Sequence, residues 1–244
     1  MRKVDKESPL PLYYQLKDII SEMIENEELK PDDPIPSERE LCEYHGVSRM
    51  TANKAITSLV TEGVLYREQG RGTFVARSKE KHQISNLLGF TEEMRRRGLE
   101  VSTRLLSFRK KAATKRLQQE LELGSDQEIF EIIRLRSVSG EPYALETAYI
   151  PVALCARLTA ELLDSRSLYD VLNREFGLEA DYAYQTIEPV AVNDYESEIM
   201  AIREGALALL FSRRTYLRNN VPMEVTKAIY RGDRYKYEIV LKRS

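Results

Sequence analysis

Pro31, Pro34 and Pro36 stand directly in front of Ser37-Glu38-Arg39-Glu40, and this run leaves the chain few choices. Proline lacks an N–H and locks φ, so the segment is a stiff connection and not a helix. Ser-x-x-Glu is a capping box, in which each side chain satisfies an open backbone N–H of the other residue, so a helix begins there. Leu41 and Tyr44 continue it, and Gly46 suits a left-handed stop. Ahead of the prolines, Leu12, Leu16, Ile19, Ile20, Met23 and Ile24 recur at helical spacing, which predicts an amphipathic helix over residues 11–26. Beyond Gly46, Ser48 can cap a third helix that carries Ala52, Ala55, Ile56, Leu59 and Val60 and stops at Gly63. Two short helices across a glycine-containing turn form the helix-turn-helix pattern. Residues 64–67 and 73–75, on either side of a Gly70-Arg71-Gly72 tip, read as a β-hairpin wing.

Further on the period changes. Residues 77–89 are polar and poorly periodic and read as a linker. Segments 101–109, 129–139, 143–151, 181–192, 207–218 and 221–231 are rich in β-branched residues and tyrosine, the composition of strands. Helical stretches fall between them, near 91–97, 114–121, 167–175 and 194–203. Turn pairs such as Ser139-Gly140 and Asn219-Asn220 join some of the strands directly, which implies an antiparallel sheet in an α+β domain with flanking helices. The expected organisation is a winged helix-turn-helix domain over 1–76, a linker over 77–89 and a second domain over 90–244.

Several function classes are excluded early. With 42% apolar and 31% charged residues the 244-residue chain can bury a core. Its uninterrupted apolar runs, 152–156 and 206–211, fall far short of the ~18 residues of a membrane span. The charges of residues 1–8 are followed by no apolar signal segment, so a cytoplasmic protein without membrane contact is expected. Two cysteines, Cys42 and Cys155, and two histidines, His45 and His82, give no metal-ligand spacing and little material for a catalytic triad. No metal, cofactor or catalytic residue is therefore expected.

The formal net charge of −2 conceals an asymmetry. The first helix and the loop after it carry Glu22, Glu25, Glu27, Glu28, Asp32 and Asp33. Between His45 and Lys79 the balance reverses: Arg49, Lys54, Arg67, Arg71, Arg77 and Lys79 face only Glu62 and Glu68, six minus two, or +4. These cations fall on the third helix and the wing, the elements that would meet phosphate and groove. A recognition helix places its N-terminal residues nearest the bases, here Ser48, Arg49, Met50, Thr51, Asn53 and Lys54. Arg49 can address guanine O6 and N7, and Asn53 can address adenine. Arg39 starts the preceding helix within reach of phosphate or base. Gly70 and Gly72 let backbone N–H groups and Arg71 approach DNA closely. Taken singly, each feature also suits a solvated face. Together, and in this order, they point to double-stranded DNA as a partner.

Pro36-Ser37-Glu38-Arg39-Glu40-Leu41, Gly46-Val47-Ser48-Arg49-Met50-Thr51, Leu59-Val60-Thr61-Glu62-Gly63 and Gly70-Arg71-Gly72-Thr73-Phe74-Val75 resemble the winged helix-turn-helix of the GntR family across residues 8–76. The resemblance implies a homodimeric transcription factor on an operator of two related half-sites, with Arg39, Arg49 and Gly70 as main DNA contacts. Many relatives carry Arg-Gln where this chain has Asn53-Lys54, which implies a different base readout at that point.

In the second domain, Arg134 and Arg136 lie two residues apart on an expected strand, hence on one face, together with Ile132 and Val138. A guanidinium stays charged, so two of them on an apolar face require an anion nearby. Ser167-Leu168-Tyr169-Asp170 opens a helix whose free N–H groups suit a phosphate or carboxylate. The pair could build a phosphate pocket with that helix start, or form internal salt bridges with Glu146 or Glu188. Ser167 could equally be a plain cap.

Gly89-Phe90-Thr91-Glu92-Glu93-Met94, Arg134-Leu135-Arg136, Ala144 to Pro151, Ser167 to Asp170 and Tyr230-Arg231-Gly232-Asp233-Arg234-Tyr235 resemble the effector domain of the HutC subfamily, the UTRA domain with its chorismate-lyase-like fold, over residues 88–240. Within it the likeness is greatest to repressors of N-acetylglucosamine utilisation, which sense amino-sugar phosphates. By that similarity Thr91, Arg134, Arg136, Ser167 and Tyr169 would hold phosphate. Glu146, Glu224 and Tyr230 would bind sugar hydroxyls, and Phe90 would line the pocket. Gly89 stands where the resemblance implies serine.

The function expected is a ligand-responsive regulator, a repressor controlled by a small anionic effector such as glucosamine-6-phosphate or N-acetylglucosamine-6-phosphate. Effector binding would shift the dimer toward an arrangement whose reading heads no longer match the half-sites. Another sugar phosphate or a small carboxylate would fit the same class. A lyase-like enzyme is the alternative of a different kind, against which stands the absence of any acid/base pair or nucleophile motif.

Overall fold

A computed structural model describes residues 2–76, 80–83, 87 and 89–238. Of the expected linker, residues 77–79, 84–86 and 88 lie outside the described residues, and with them Arg77 and Lys79 of the basic count. Residues 239–244 lie outside as well. The chain forms two compact units, Met1–Glu80 and Lys81–Ser244.

The first unit holds α1 (Leu12–Glu25), α2 (Glu38–His45), α3 (Arg49–Thr61) and a wing of β1 (Leu65–Glu68) and β2 (Gly72–Val75). The local signals work as written. Ser37 Oγ accepts from the Glu40 N–H and Glu40 returns the bond to the Ser37 N–H at 2.8 Å, so the capping box is complete. Gly46 ends α2 with φ of 64°, a conformation that favours glycine. Leu16, Ile19 and Ile20 of α1 meet Leu41 of α2 and Ala52, Ala55, Ile56 and Leu59 of α3 in one core. Each of the larger side chains contributes about 1.5–3 kcal/mol by leaving water. The proline segment does more than connect. The Asp32 N–H donates to the Val75 carbonyl at 2.9 Å and the Ile35 N–H to that of Thr73 at 3.0 Å, so the segment lies alongside the wing.

The second unit contains, in chain order, β3 (Glu80–Gln83), α4 (Phe90–Arg96), β4 (Val101–Ala112), α5 (Lys115–Glu120), β5 (Glu128–Val138) and β6 (Glu141–Pro151). After two single 3-10 turns follow α6 (Leu168–Phe176), β7 (Ala180–Ala191), α7 (Asp194–Ile199), β8 (Leu207–Leu217), β9 (Pro222–Arg231) and β10 (Tyr235–Glu238). Six strands form an antiparallel sheet in the order β4-β5-β6-β9-β8-β7. The architecture is the α+β fold that the alternation implies. β3 pairs with β10, so part of the stretch read as linker is a strand. Ser139 and Gly140 both have positive φ, 50° and 82°, and close β5 onto β6 in a two-residue turn.

The two sheet faces are occupied differently. Leu168, Val171 and Leu172 of α6 pack on Phe130, Ile132, Ala148 and Ile150. Phe90 and Met94 of α4 pack on Ala144, Phe211, Ala228 and Tyr230 of the same face. On the opposite face Leu135, Leu145, Ala208 and Met200 form an apolar cluster.

Candidate functional site

On the first unit, α3 presents an open concavity lined by Glu38, Arg49, Met50, Asn53, Lys54, Thr57 and Ser58, among others. Ser48 caps the helix, its Oγ accepting from the Thr51 N–H at 3.2 Å and lying 2.9 Å from Thr51 Oγ1. These two are therefore partly committed to the helix start. Arg49 is exposed and makes no hydrogen bond or ion pair among the described residues, and Met50 beside it is 83% exposed. Asn53 donates from Nδ2 to Glu38 Oε1 at 2.8 Å, and Lys54 Nζ sits 3.9 Å above the Tyr13 ring. Arg39 stays exposed at the start of α2, 3.8 Å from Glu43. At the wing tip Gly70 (φ 75°) and Gly72 (φ 129°) need the freedom of glycine, and Arg71 pairs with Glu68. The +4 balance is thus softened: Arg67 and Arg71 carry internal partners, Glu38 and Glu68.

On the second unit the sheet floor builds a pocket. β5 supplies Arg134 and Arg136, β6 Glu146, β9 Glu224 and Tyr230, and β8 Phe211 and Arg213. Register explains why they meet: Arg134 lies opposite Glu146, Ala144 opposite Tyr230, Ala228 opposite Phe211, and Thr215 opposite Glu224. Gly89 and Phe90 at the start of α4, and Ser167, Leu168 and Tyr169 at the start of α6, complete the lining. Ser167 accepts from the Asp170 N–H at 3.4 Å, so it is a cap facing the pocket.

Arg134 is 3% and Arg136 2% exposed. The salt-bridge alternative is realised for Arg134, whose Nη2 meets Glu146 Oε1. Glu188, the other candidate partner, is exposed on β7. Arg136 donates to Thr91 Oγ1 at 2.6 Å and lies over the Phe90 ring at 4.8 Å. These contacts do not exhaust the donors. Nε and Nη1 of Arg134 and Nε of Arg136 are buried and have no partner among the described residues. Buried guanidinium donors without acceptors are a net penalty, unless an anion is to be received.

Tyr169 of the lining belongs to a hydrogen-bonded triangle. Tyr169 donates to Glu224 Oε2 at 2.7 Å, and Thr215 Oγ1 lies 3.1 Å from Tyr169 Oη and 3.4 Å from Glu224. Arg213 donates from Nε to Gln185 Oε1 at 2.7 Å. Burial pushes Glu224 above its ordinary carboxyl value, and the charge of Glu146 adds to that. For Glu146 burial acts in the same upward direction, but Arg134 and Arg136 together outweigh it and hold the carboxylate below its ordinary value. Burial, and then the charge of Arg134, pull Arg136 down to about 10, still cationic at neutral pH. Three guanidinium groups thus share the lining with three carboxylates, of which Glu93 pairs with Arg97 at 3.1 Å and Glu224 is reluctant to ionise. The pocket carries excess positive charge.

All nine expected effector residues are brought together: eight line the pocket and Thr91 holds Arg136 from behind. Sequence reasoning missed Arg213, Gln185, Phe211 and Thr215. Phe211, Arg213 and Thr215 alternate along β8, the signal that identified Arg134 and Arg136.

Two sequence profiles match the chain: that of the gntR family of bacterial regulatory proteins over residues 12–75, and that of the UTRA domain over residues 96–236. The chain belongs to the GntR family. Among GntR-family relatives it is similar to the HTH-type transcriptional repressor NagR of Bacillus subtilis (strain 168), with 40% identity over 234 residues and 96% of each chain covered. It is also similar to the histidine utilization repressor of Pseudomonas putida, at 28% identity over 95% of this chain and 92% of that one. Among solved structures, PhnF from Mycobacterium smegmatis superposes with a TM-score of 0.65 at 25% identity, covering 93% of this chain and 99% of PhnF. The protein is a transcriptional regulator of the GntR/HutC type and not an enzyme. Its reading head binds operator DNA, and its UTRA domain binds a small molecule. Among the described residues no helix is long and apolar enough to cross a membrane.

Proposed function

We propose that this regulator is a homodimeric repressor whose grip on its operator is released by a phosphorylated amino sugar, glucosamine-6-phosphate or N-acetylglucosamine-6-phosphate, bound in the UTRA pocket. The observation that carries the reading is the pair of buried, incompletely partnered guanidinium groups of Arg134 and Arg136 beside the N-terminus of α6. A phosphate supplies acceptors for those donors and for the open N–H groups of the helix start. Thr91, Ser167 and Tyr169 frame that end. Glu146, Glu224 and Tyr230 accept from or donate to sugar hydroxyls, and Phe90 covers the ring. The 40% identity to a repressor named NagR favours an amino sugar over other phosphorylated sugars.

On the DNA side, Arg39, Ser48, Arg49, Thr51, Asn53, Lys54, Gly70, Arg71 and Gly72 form the operator contact. Boundaries at 1–76, 77–89 and 90–244 separate reading head, linker and effector unit. The test is thermal stabilisation of the full chain by both phosphorylated amino sugars, with the unphosphorylated sugars as controls, alongside operator release in a fluorescence-anisotropy titration. Stabilisation that requires the phosphate and accompanies release is expected. Stabilisation without any change in operator affinity would sink the regulatory half of the proposal, and no stabilisation by either compound would sink the ligand assignment.

A further inference from the structure

Two side chains in the concavity along α3, Glu38 and Glu62, have the wrong sign for a surface that meets DNA, and Glu62 is paired with Lys17 at 2.8 Å. Glu38 sits at the start of α2, and its side chain is 41% exposed. Its Oε1 accepts from Asn53 Nδ2 at 2.8 Å and lies 3.6 Å from Arg67 Nη2 of the wing. Arg67 Nη2 also donates to Thr57 Oγ1 at 3.3 Å, and Thr57 Oγ1 donates to Asn53 Oδ1 at 3.4 Å. The four side chains close a ring that joins α2, α3 and β1. We propose that Glu38 is a specificity-determining positioning residue: it fixes the Asn53 amide for reading a base and does not itself hold DNA. The inference rests on the reading of α3 as the operator-contacting helix.

The chemistry of the ring carries the argument. An asparagine amide can turn over and exchange its donor and acceptor ends, and a base pair then reads a different pattern. A carboxylate has no hydrogen to give, so only the NH2 end of Asn53 can face Glu38. The oxygen end must then face the Thr57 hydroxyl. One hydrogen on Nδ2 and one lone pair on Oδ1 remain free, in a fixed order along the helix. A donor and an acceptor so ordered match the N7 and N6–H2 of adenine in the major groove. Fixing them before DNA arrives removes an ordering cost from binding and removes the flipped amide that would accept a different base. Arg67 offsets the negative charge that Glu38 places near phosphates, and it ties the wing to the same ring.

The test is selection of binding sites from a random double-stranded DNA library by the full chain and by Asn53→Ala, Glu38→Gln and Glu38→Ala, at one salt concentration. Melting curves of each variant confirm the fold. Asn53→Ala is expected to erase the base preference at one position of each half-site, a discrimination of ~10-fold or more for a two-pronged contact. Both Glu38 variants are expected to weaken the preference at that same position, while affinity for random-sequence DNA stays level or rises. Glu38→Gln is the sharper variant, because it keeps the size but its own amide lets Asn53 turn over. If Asn53→Ala erases a position that both Glu38 variants leave intact, the proposal is overturned. If Asn53→Ala leaves every position intact, Asn53 reads no base and the proposal falls with it. A wild-type chain that selects no motif would overturn the operator-binding reading itself.

Discussion

Arg136→Met should separate folding from sensing, because the two respond to it in opposite directions. Arg136 is 2% exposed, makes one side-chain hydrogen bond among the described residues, to Thr91, and stacks its guanidinium on Phe90. Its Nε has no partner among the described residues, and the cation of Arg134 stands on the same strand face. Replacing an under-partnered buried charge with an apolar side chain of similar length is neutral or stabilising by up to about 3 kcal/mol. In a unit of this size that is a rise of up to roughly 10 °C in the melting temperature without ligand. The phosphate end of the pocket loses a charged donor at the same time, and hydrogen bonds to charged groups contribute about 1.5–3 kcal/mol. Affinity for the sugar phosphate should therefore fall by about 10- to 150-fold. The assay is differential scanning fluorimetry of both proteins, with and without the phosphorylated amino sugar, followed by calorimetric titration. A ligand-free Arg136→Met that melts well below wild type would refute the reasoning, since Arg136 would then be a strut of the fold and not a receptor for an anion.

Glu146→Gln should do the reverse. It leaves Arg134 buried without its counter-charge and should lower stability by about 3 kcal/mol, with millimolar inorganic phosphate restoring part of the loss in a urea melt. A Cβ at Gly232 would stand 2.6 Å from the Leu207 carbonyl oxygen, a backbone atom that cannot move alone. Gly232→Ala is therefore expected to pry β8 from β9 at a cost of about 1–3 kcal/mol in thermal unfolding. His45 is 4% exposed, neither ring nitrogen has a hydrogen-bond partner among the described residues, and burial, then the charge of Lys3, hold it below its ordinary value. The unfolded chain takes up a proton near pH 6.5 that the folded one refuses. Stability from this site is thus complete above about pH 6.5 and declines as pH falls toward the folded value. Urea melts of the wild type should show that slope as pH falls below about 6.5, and His45→Phe should flatten it.

Local signals in the sequence located most elements because each has a local cause. Ser37 with Glu40, Gly46 and Ser48 bracket α2 and α3 through bonds that span no more than five residues. Richness in β-branched residues and tyrosine along 129–139 and 207–218 placed β5 and β8, and turn pairs joined neighbours. What stayed hidden depends on register and on distance along the chain. Arg213 and Arg214 are adjacent, so one must point to each face, and only the pairing of Arg213 with Thr226 decides which of them enters the pocket. The triangle of Tyr169, Thr215 and Glu224 joins residues up to 55 positions apart. The alternatives for Arg134, salt bridge or anion site, could not be separated by sequence because a guanidinium has five N–H groups and the pocket uses it both ways. The role of the prolines beside the wing was invisible for the same reason: the bonds from Asp32 and Ile35 reach across some forty residues to Val75 and Thr73.

The division of the six-stranded sheet into a polar floor and an apolar reverse has a consequence for descent. Leu135, Leu145, Ala208 and Met200 hold the sheet from behind, while β5, β6, β9 and β8 each lend only one to four side chains to the floor. Exchanging a floor residue changes what the pocket accepts without touching the layer that keeps the strands aligned. A lineage can thus acquire a taste for a new metabolite one strand at a time, each intermediate still folded and still able to answer to its promoter.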